Sequence, residues 1–394
     1  MRTGMATRTT MDTTLTAPMP ETAQATTWQR LPLPEGPTVL ALGAGLKNTL
    51  CAALGHSAMI TPTVGDLDTP QACAAHEDAA RALLAWLDDQ DARPAAVAHD
   101  LHPDFHSTRT AQTLAAELGV RCLPVQHHHA HLAAVCAEHG WLGPVVGLAL
   151  DGVGLGTDGH AWGGELLYLQ GPRCTRLGHL HPLALPGGDV AAREPWRMAA
   201  AALHALGRNG DITTRFAHQP AAPGVARLLA QGTRCPPTTS LGRVFDAASA
   251  LLGLCEAMQT EAEAAIALEQ AAARHGPCPP LDGGWRIAPD MTLDLRPLLQ
   301  HLMEAADPGQ GAALFHATLG AALAEWLALA ARSAGTQTVA AAGGCLFNQL
   351  LTADLRQRCR AQGLRLLEAR QLPPGDTAIA YGQAAVARWQ LEAA

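Results

Sequence analysis

Val145-Val146-Gly147-Leu148-Ala149-Leu150-Asp151-Gly152-Val153-Gly154-Leu155-Gly156-Thr157-Asp158-Gly159, continued by His160-Ala161-Trp162-Gly163-Gly164-Glu165-Leu166-Leu167-Tyr168-Leu169, is the stretch whose reading decides the fold. An apolar run delivers Asp151 into a glycine-rich loop. Glycines leave backbone N–H groups bare, and bare N–H groups cradle phosphate oxygens. By itself G-x-G is usually a turn, and its dinucleotide-binding reading requires a helix directly afterwards. Here the continuation has paired glycines and then an apolar run, which reads as a second strand. The unit is strand, glycine loop, strand.

Twenty residues upstream stands Gln126-His127-His128-His129-Ala130-His131. His127 and His131 are spaced i,i+4, so on a helix they share one face with Cβ atoms about 6 Å apart. That spacing suits two imidazoles on one metal ion, although such pairs also occur as surface or satisfied core histidines. A helix starting one residue differently would present His129 instead. A metal beside a phosphate cradle points to nucleotide chemistry.

The hairpin resembles the phosphate loop of the actin, sugar-kinase and Hsp70-like ATPases, and the chain carries it twice. The earlier copy spans Thr38 to Gly55, again an apolar strand, a Gly-rich turn and a return strand. Its loop holds Lys47, the only lysine in the chain. A lysine in a phosphate-type loop invites an anion-binding role; an ordinary exposed loop lysine is the alternative.

At 394 residues the chain can bury a large core and is expected to form two lobes. A net charge of −8 argues against an extended nucleic-acid surface. The ten cysteines form no C-x-x-C, which excludes zinc ribbons and thioredoxin-type motifs. No secretory leader and no run of 18 apolar residues is found, so the reading is a cytoplasmic protein with reduced thiols and no membrane partner.

Residues 1–34 are rich in Thr, Ala and Pro and read as a flexible tail. Residues 35–143 read as a first α/β lobe, with helices over 69–89 and near 108–118 and strands at 94–98 and near 120–125. Residues 144–394 read as a second lobe, with helices over 196–207, 243–272, 293–305 and 309–333 and a Pro/Gly-rich excursion at 276–290. The whole is an α/β chain of the actin/sugar-kinase/Hsp70-like ATPase superfold, each lobe a mixed sheet flanked by helices. Near the end, Gly343-Gly344 follows the strand Thr338 to Ala342. Those glycines serve either close approach of a base or sugar, or tight helix–strand packing. Asp376, in Pro373-Pro374-Gly375-Asp376-Thr377, reads by itself as a helix N-cap, which leaves an oxygen for ligation.

Six ordered motifs carry a family resemblance: QHHHAH, LALDGVGLGTDGHAWGGE, LPGGDVAAREPWRM, SLGRVFDAASALLGL, GGCLFNQLL and PPGDTAIAYGQ. Together with the upstream GAGLKNTL, VGDLD and HDLHPDFHSTRTA, they resemble the C-terminal domain of the HypF carbamoyltransferases of nickel-iron hydrogenase maturation, from about residue 36 to the C-terminus. The domain is more remotely similar to the TsaD family, which modifies tRNA, and to antibiotic O-carbamoyltransferases. The resemblance implies His127, His131, Asp151 and Asp376 as ligands of one divalent metal, iron or zinc. It implies ATP or AMP with Mg as cofactor, contacted by Gly152, Gly154, Gly156, Gly343, Gly344 and Asn348, with Glu261 on ribose hydroxyls and Asp246 as a weaker candidate. Lys47, His102 and Arg197 are the implied anion or carbamoyl contacts.

The implied reaction consumes carbamoyl phosphate and ATP, passes through carbamoyl adenylate and carbamoylates the C-terminal cysteine thiolate of HypE. The incoming sulfur belongs to that partner. Full HypF proteins also carry an acylphosphatase-like module, a paired C-x-x-C zinc region and a YrdC-like module that makes the adenylate. None is found in this sequence, which therefore reads as a truncated HypF that takes carbamoyl adenylate from a separate protein or forms it with bound ATP. Two other readings remain: a nucleotide-bound docking domain for HypE, and a TsaD-like tRNA enzyme, which the acidic charge disfavours.

Overall fold

The computed structural model describes residues 28–393. Most of the expected tail, residues 1–27, lies outside the described residues. The end of that span is a strand, β1 (Gln29–Pro32), which pairs antiparallel with β4 (Ser57–Ile60).

The first sheet continues through β3 (Cys51–Leu54), β2 (Val39–Ala41), β5 (Ala96–Asp100) and β6 (Arg121–Val125) in the order β1-β4-β3-β2-β5-β6. β2, β3 and β4 form an antiparallel meander, while β5 and β6 add in parallel on the other side of β2. The crossovers are α1 (Pro70–Asp89) and α2 (His106–Leu118). Thr69 caps α1, Pro70 opens it, and buried His76, Ala80, Leu83 and Leu87 line one face at helical spacing. Alternation along β2 then splits the core. Leu40 and Leu42 pack with Leu83 and Leu87 on one face, and Val39 and Ala41 pack with Ile379, Ala380 and Ala384 on the other.

The second sheet repeats this plan. β7 (Val145–Leu155), β8 (Ala161–Gln170) and β9 (Arg173–His179) form an antiparallel meander, and the strands Thr338–Ala342 and Arg365–Leu367 add in parallel beyond β7. The order β4-β3-β2-β5-β6 of the first sheet thus recurs in five strands of the seven-stranded second sheet, the duplicated unit expected of the ATPase superfold. Val146, Leu148 and Leu150 face a large helical core that includes Trp196, Phe245 and Trp326. The opposite face, with Ala149, Leu167 and Ala340, meets α3 (His127–Glu138) through Leu132 and Val135.

The expected helix over 243–272 is two helices, Leu241–Leu251 and Glu263–His275, and the 276–290 excursion carries part of a short hairpin, Arg286–Ile287 with Leu293–Asp294. Helix Pro308–Ser333 is long and apolar enough to cross a membrane by length and composition, yet 78% of that stretch is buried inside the protein. The last helix, Ile379–Glu392, falls in the span expected to be second lobe but packs on the first sheet and on α3.

Candidate active site

α3 lies at the joint between the two sheets, and all twelve of its residues are buried. Gln126 caps it, its Oε1 accepting the His129 N–H at 2.8 Å while its Nε2 donates to the Leu155 carbonyl at 3.1 Å. Close approach on both sides requires glycine. A Cβ on Gly147 of β7 would stand 2.6 Å from the Leu132 side chain, and one on Gly382 would collide with the Ala130 carbonyl.

Asp151 does not open a loop. β7 runs on to Leu155, with its register against β8 shifted between Leu150 and Gly154, and the turn comes later, closed by Gly156 N–H to His160 C=O at 2.9 Å. The extra residues form a bulge that turns Asp151 toward α3. Ser240 Oγ fastens it, within 3.0 Å of the Asp151 carbonyl and 2.6 Å of the Gly152 carbonyl. Asp376 begins a 3-10 turn, Asp376–Ala378, whose cap position is Gly375 and which has no side-chain cap hydrogen bond. The capping alternative is thus not the one used; the carboxylate faces the histidines instead.

Four donors converge. Asp151 Oδ2 lies 3.3 Å from both His127 Nε2 and His131 Nε2, and Asp376 Oδ1 lies 3.7 and 3.5 Å from them. All four ligand atoms fall within 4.8 Å of one another, and His129 lies outside the group. Ligands about 2.1 Å from a central ion stand roughly 3.4 Å apart in a tetrahedron, so the spacing fits a small divalent metal. His127 Nε2 is buried, and the polar groups it faces are the Asp151 and Asp376 carboxylates, a donor set that suits a divalent ion. On its other side His127 Nδ1 meets Asp100 Oδ2 at 2.8 Å.

The electrostatics agree. Burial works to lower the pKa of His127, yet the charge and hydrogen bond of Asp100 outweigh it and hold the imidazole well above its ordinary value. Burial is also overcome at His131, raised by the hydrogen bonds it donates to Asp151 and Asp376. Asp151 and Asp376 are correspondingly lowered against burial, by hydrogen bonds from the two imidazoles.

The remaining candidates divide. Lys47 takes a left-handed backbone, φ 43°, and its Nζ pairs with Glu261 Oε2 at 3.0 Å. Glu261, expected on ribose, spans to Lys47. The Lys47 loop is held beside the Asp376 segment: Thr49 Oγ1 donates to the Thr377 carbonyl at 2.9 Å and Gln383 brackets Gly43. His102 stacks on Phe105 at 4.3 Å, and its backbone N–H donates to Asp100 Oδ1 at 3.0 Å. Arg197 is engaged by Glu194. Asp246 is buried against Arg243 at 2.6 Å, and burial raises its pKa to about 6.

Among the glycines expected on nucleotide, most approach protein. A Cβ on Gly154 would meet His127 and His128, one on Gly156 would meet the Trp162 indole, and one on Gly343, φ 107°, would strike the Leu150 carbonyl. Gly152 has room, its nearest neighbour being Arg243 Nη2 at 3.8 Å. Gly344 N–H donates to Asp151 Oδ1 at 3.1 Å. The Asn348 side chain caps helix Gln349–Ala361 and meets His316 Nε2 at 2.9 Å, so it is already occupied. Asp100 and Arg243 were missed by the sequence reading; each lies inside a quoted motif, but only the folded chain shows what it touches.

Comparison with known proteins follows the same residues. Residues 34–138 match the HypF Kae1-like domain, and residues 147–383 match the second subdomain of the carbamoyltransferase Kae1-like domain. Carbamoyltransferase HypF2 of Cupriavidus necator is 51% identical over 89% of this chain and 46% of its own length. A carbamoyltransferase HypF homolog of the same organism is 50% identical, over 90% of this chain and 93% of its own. Among solved structures, full-length HypF in its phosphate- and nucleotide-bound form superposes with a TM-score of 0.83 at 28% identity, over 92% of this chain and 48% of that one. HypF of T. kodakarensis gives a TM-score of 0.82 at 30% identity, over 92% of this chain and 49% of that one. The chain spans about half the length of the first of these relatives.

Proposed function

The chain belongs to the HypF carbamoyltransferase family, and from that premise we propose that it transfers carbamoyl from carbamoyl adenylate to the C-terminal cysteine thiolate of HypE in nickel-iron hydrogenase maturation. The observation that carries this reading is the convergence of His127, His131, Asp151 and Asp376 from three separate segments at the joint of the two lobes. That a full-length relative was solved with phosphate and nucleotide bound supports nucleotide binding as part of the reading.

In the transfer, the HypE sulfur forms a bond to the carbamoyl carbon. The bond from that carbon to the phosphate oxygen breaks, and AMP leaves with the electron pair. His127, His131, Asp151 and Asp376 would hold a divalent ion, iron or zinc, which would supply Lewis acidity when bound. The chain's own residues do the rest. Asp100 orients His127, the bulge at Gly152 and the Arg243 guanidinium border the space for phosphate, and Lys47 presents a cation beside the Asp376 segment. The incoming sulfur belongs to HypE, so no cysteine of the chain need be the nucleophile; the thiol of Cys345, next to Gly344, is pushed well above its ordinary value by burial.

The test mixes the purified chain with HypE and carbamoyl adenylate and weighs the HypE C-terminal peptide. A carbamoylated thiol is expected. From carbamoyl phosphate and MgATP alone the same product is expected only slowly, unless a separate adenylate-forming protein is added. An unmodified HypE cysteine in the presence of carbamoyl adenylate would refute the transfer and leave the docking role.

A further inference from the structure

α3 carries His127 and His131 at its first turns and ends in Glu138. The Glu138 carboxylate accepts three consecutive backbone N–H groups: Arg370 at 2.7 Å on Oε2, and Gln371 at 3.1 Å and Leu372 at 2.7 Å on Oε1. It is 9% exposed. A carboxylate at a helix C-terminus faces the negative end of the dipole, where a cation is preferred, so local helix energetics do not explain this residue. What it does hold is the chain that leads to the fourth ligand.

Between Leu372 and Asp376 lie Pro373, Pro374 and Gly375. The prolines fix φ and restrict the residue before them, which makes this connection stiff. The Pro374 carbonyl is pinned by the Gly343 N–H at 2.8 Å. Residues 370–372 therefore set where Asp376 stands. Glu138 lies about 10 Å along the helix from His131, seven residues at 1.5 Å each. Its effect on the ligands runs through the backbone.

We propose that Glu138 is a positioning residue for the four-donor site. By binding residues 370–372 to the helix that bears His127 and His131, it sets the distance from Asp376 to the two imidazoles. One rigid helix thus fixes two ligands directly and a third through its far end. This rests on the metal reading given above, and the experiment separates the two.

The full chain is stripped of metal and titrated with Zn²⁺ against a chromophoric chelator, for the parent, Glu138→Gln, Glu138→Ala, Asp376→Asn and the double variants with Asp376→Asn. Thermal unfolding of each metal-free variant is followed alongside. Glu138→Gln, which keeps the length of the side chain and one acceptor oxygen, is expected to weaken zinc binding about tenfold, within the range for groups that support a ligand. Glu138→Ala is expected to weaken it further. In the Asp376→Asn background the same changes are expected to cost little more, because the ligand they position is already impaired.

Parent-like zinc affinity in Glu138→Gln, or costs that add in full to those of Asp376→Asn, would overturn the proposal while leaving the metal site standing. Failure of the parent chain to bind zinc would overturn the metal reading, and this proposal with it. Glu138→Gln carries the test should Glu138→Ala not fold.

Discussion

Asp100 Oδ2 stands 2.8 Å from His127 Nδ1, while His127 Nε2 turns to Asp151 and Asp376. A carboxylate on one ring nitrogen places the proton there and leaves the other nitrogen its lone pair. Asp100→Asn keeps the shape and removes the charge, and is expected to lower metal affinity about 10- to 100-fold with little change in fold. Competition titration checks it; unchanged affinity would reduce Asp100 to a packing role.

The pH dependence follows from the same four groups. His127 and His131 are raised above 6.5, burial being outweighed by the carboxylates, so their contribution to the metal-free fold is complete below pH 6.5 and is lost as pH rises through their folded values. Asp151 and Asp376 are lowered below 3.8 despite burial, so theirs is present above pH 3.8 and is lost as pH falls through the folded values. The metal-free site is most stabilising between those limits. Metal must displace the imidazole protons, so the rise in unfolding temperature on adding Zn²⁺ is expected to be larger at about pH 8 than at about pH 6. Equal rises at both would count against an imidazole-ligated ion.

Gly344 offers a sharper steric test. A Cβ there would stand 3.0 Å from Asp151 Oδ1, the oxygen that its N–H holds. Gly344→Val is expected to shift Asp151 and lower metal content several-fold, measured by mass spectrometry of the bound element. Full metal content with weakened AMP binding in calorimetry would instead assign the glycine to ligand approach.

Lys47 and Glu261 pair at 3.0 Å with side chains 37% and 68% exposed, so salt should screen the contact. Lys47→Met is expected to weaken binding of AMP about tenfold, and Lys47→Arg to restore it only in part. Glu261→Gln removes a competing anion and is expected to strengthen AMP binding slightly. Weakening by Glu261→Gln as large as that of Lys47→Met would support the ribose contact expected from the sequence.

That His127 and His131 share a face was legible from their i,i+4 spacing, while Asp376 reads locally as a helix cap and joined the candidate donors only through the family resemblance; the fold brings all four together. Asp100 was not legible, since its role exists only once β5 and α3 lie side by side. The glycines have a second structural role that the sequence does not show. Bare backbone in a sequence looks like a ligand cradle, and Gly154 and Gly343 are also bare because His127 and the Leu150 carbonyl come close. The strand-rich reading of the hairpin held, while the loop it expected at Asp151 is a bulge, because strand pairing resumes at Gly154. The last helix was assigned by its place in the sequence, and only tertiary packing reveals which sheet it covers.

That helix ties the two ends of the described chain together. Arg388 donates to the carbonyls of Pro34, Pro37 and Gly55, and Tyr381 OH donates to that of Pro32 at 2.6 Å. Cutting the polypeptide between the lobes would strip one face of the first sheet, so the halves are not separable modules. Joining the ends of the described chain and reopening it at the turn between β8 and β9, where Gln170 and Arg173 are exposed, would leave every one of these contacts intact. In topological terms the molecule is closer to a ring than to two beads on a string.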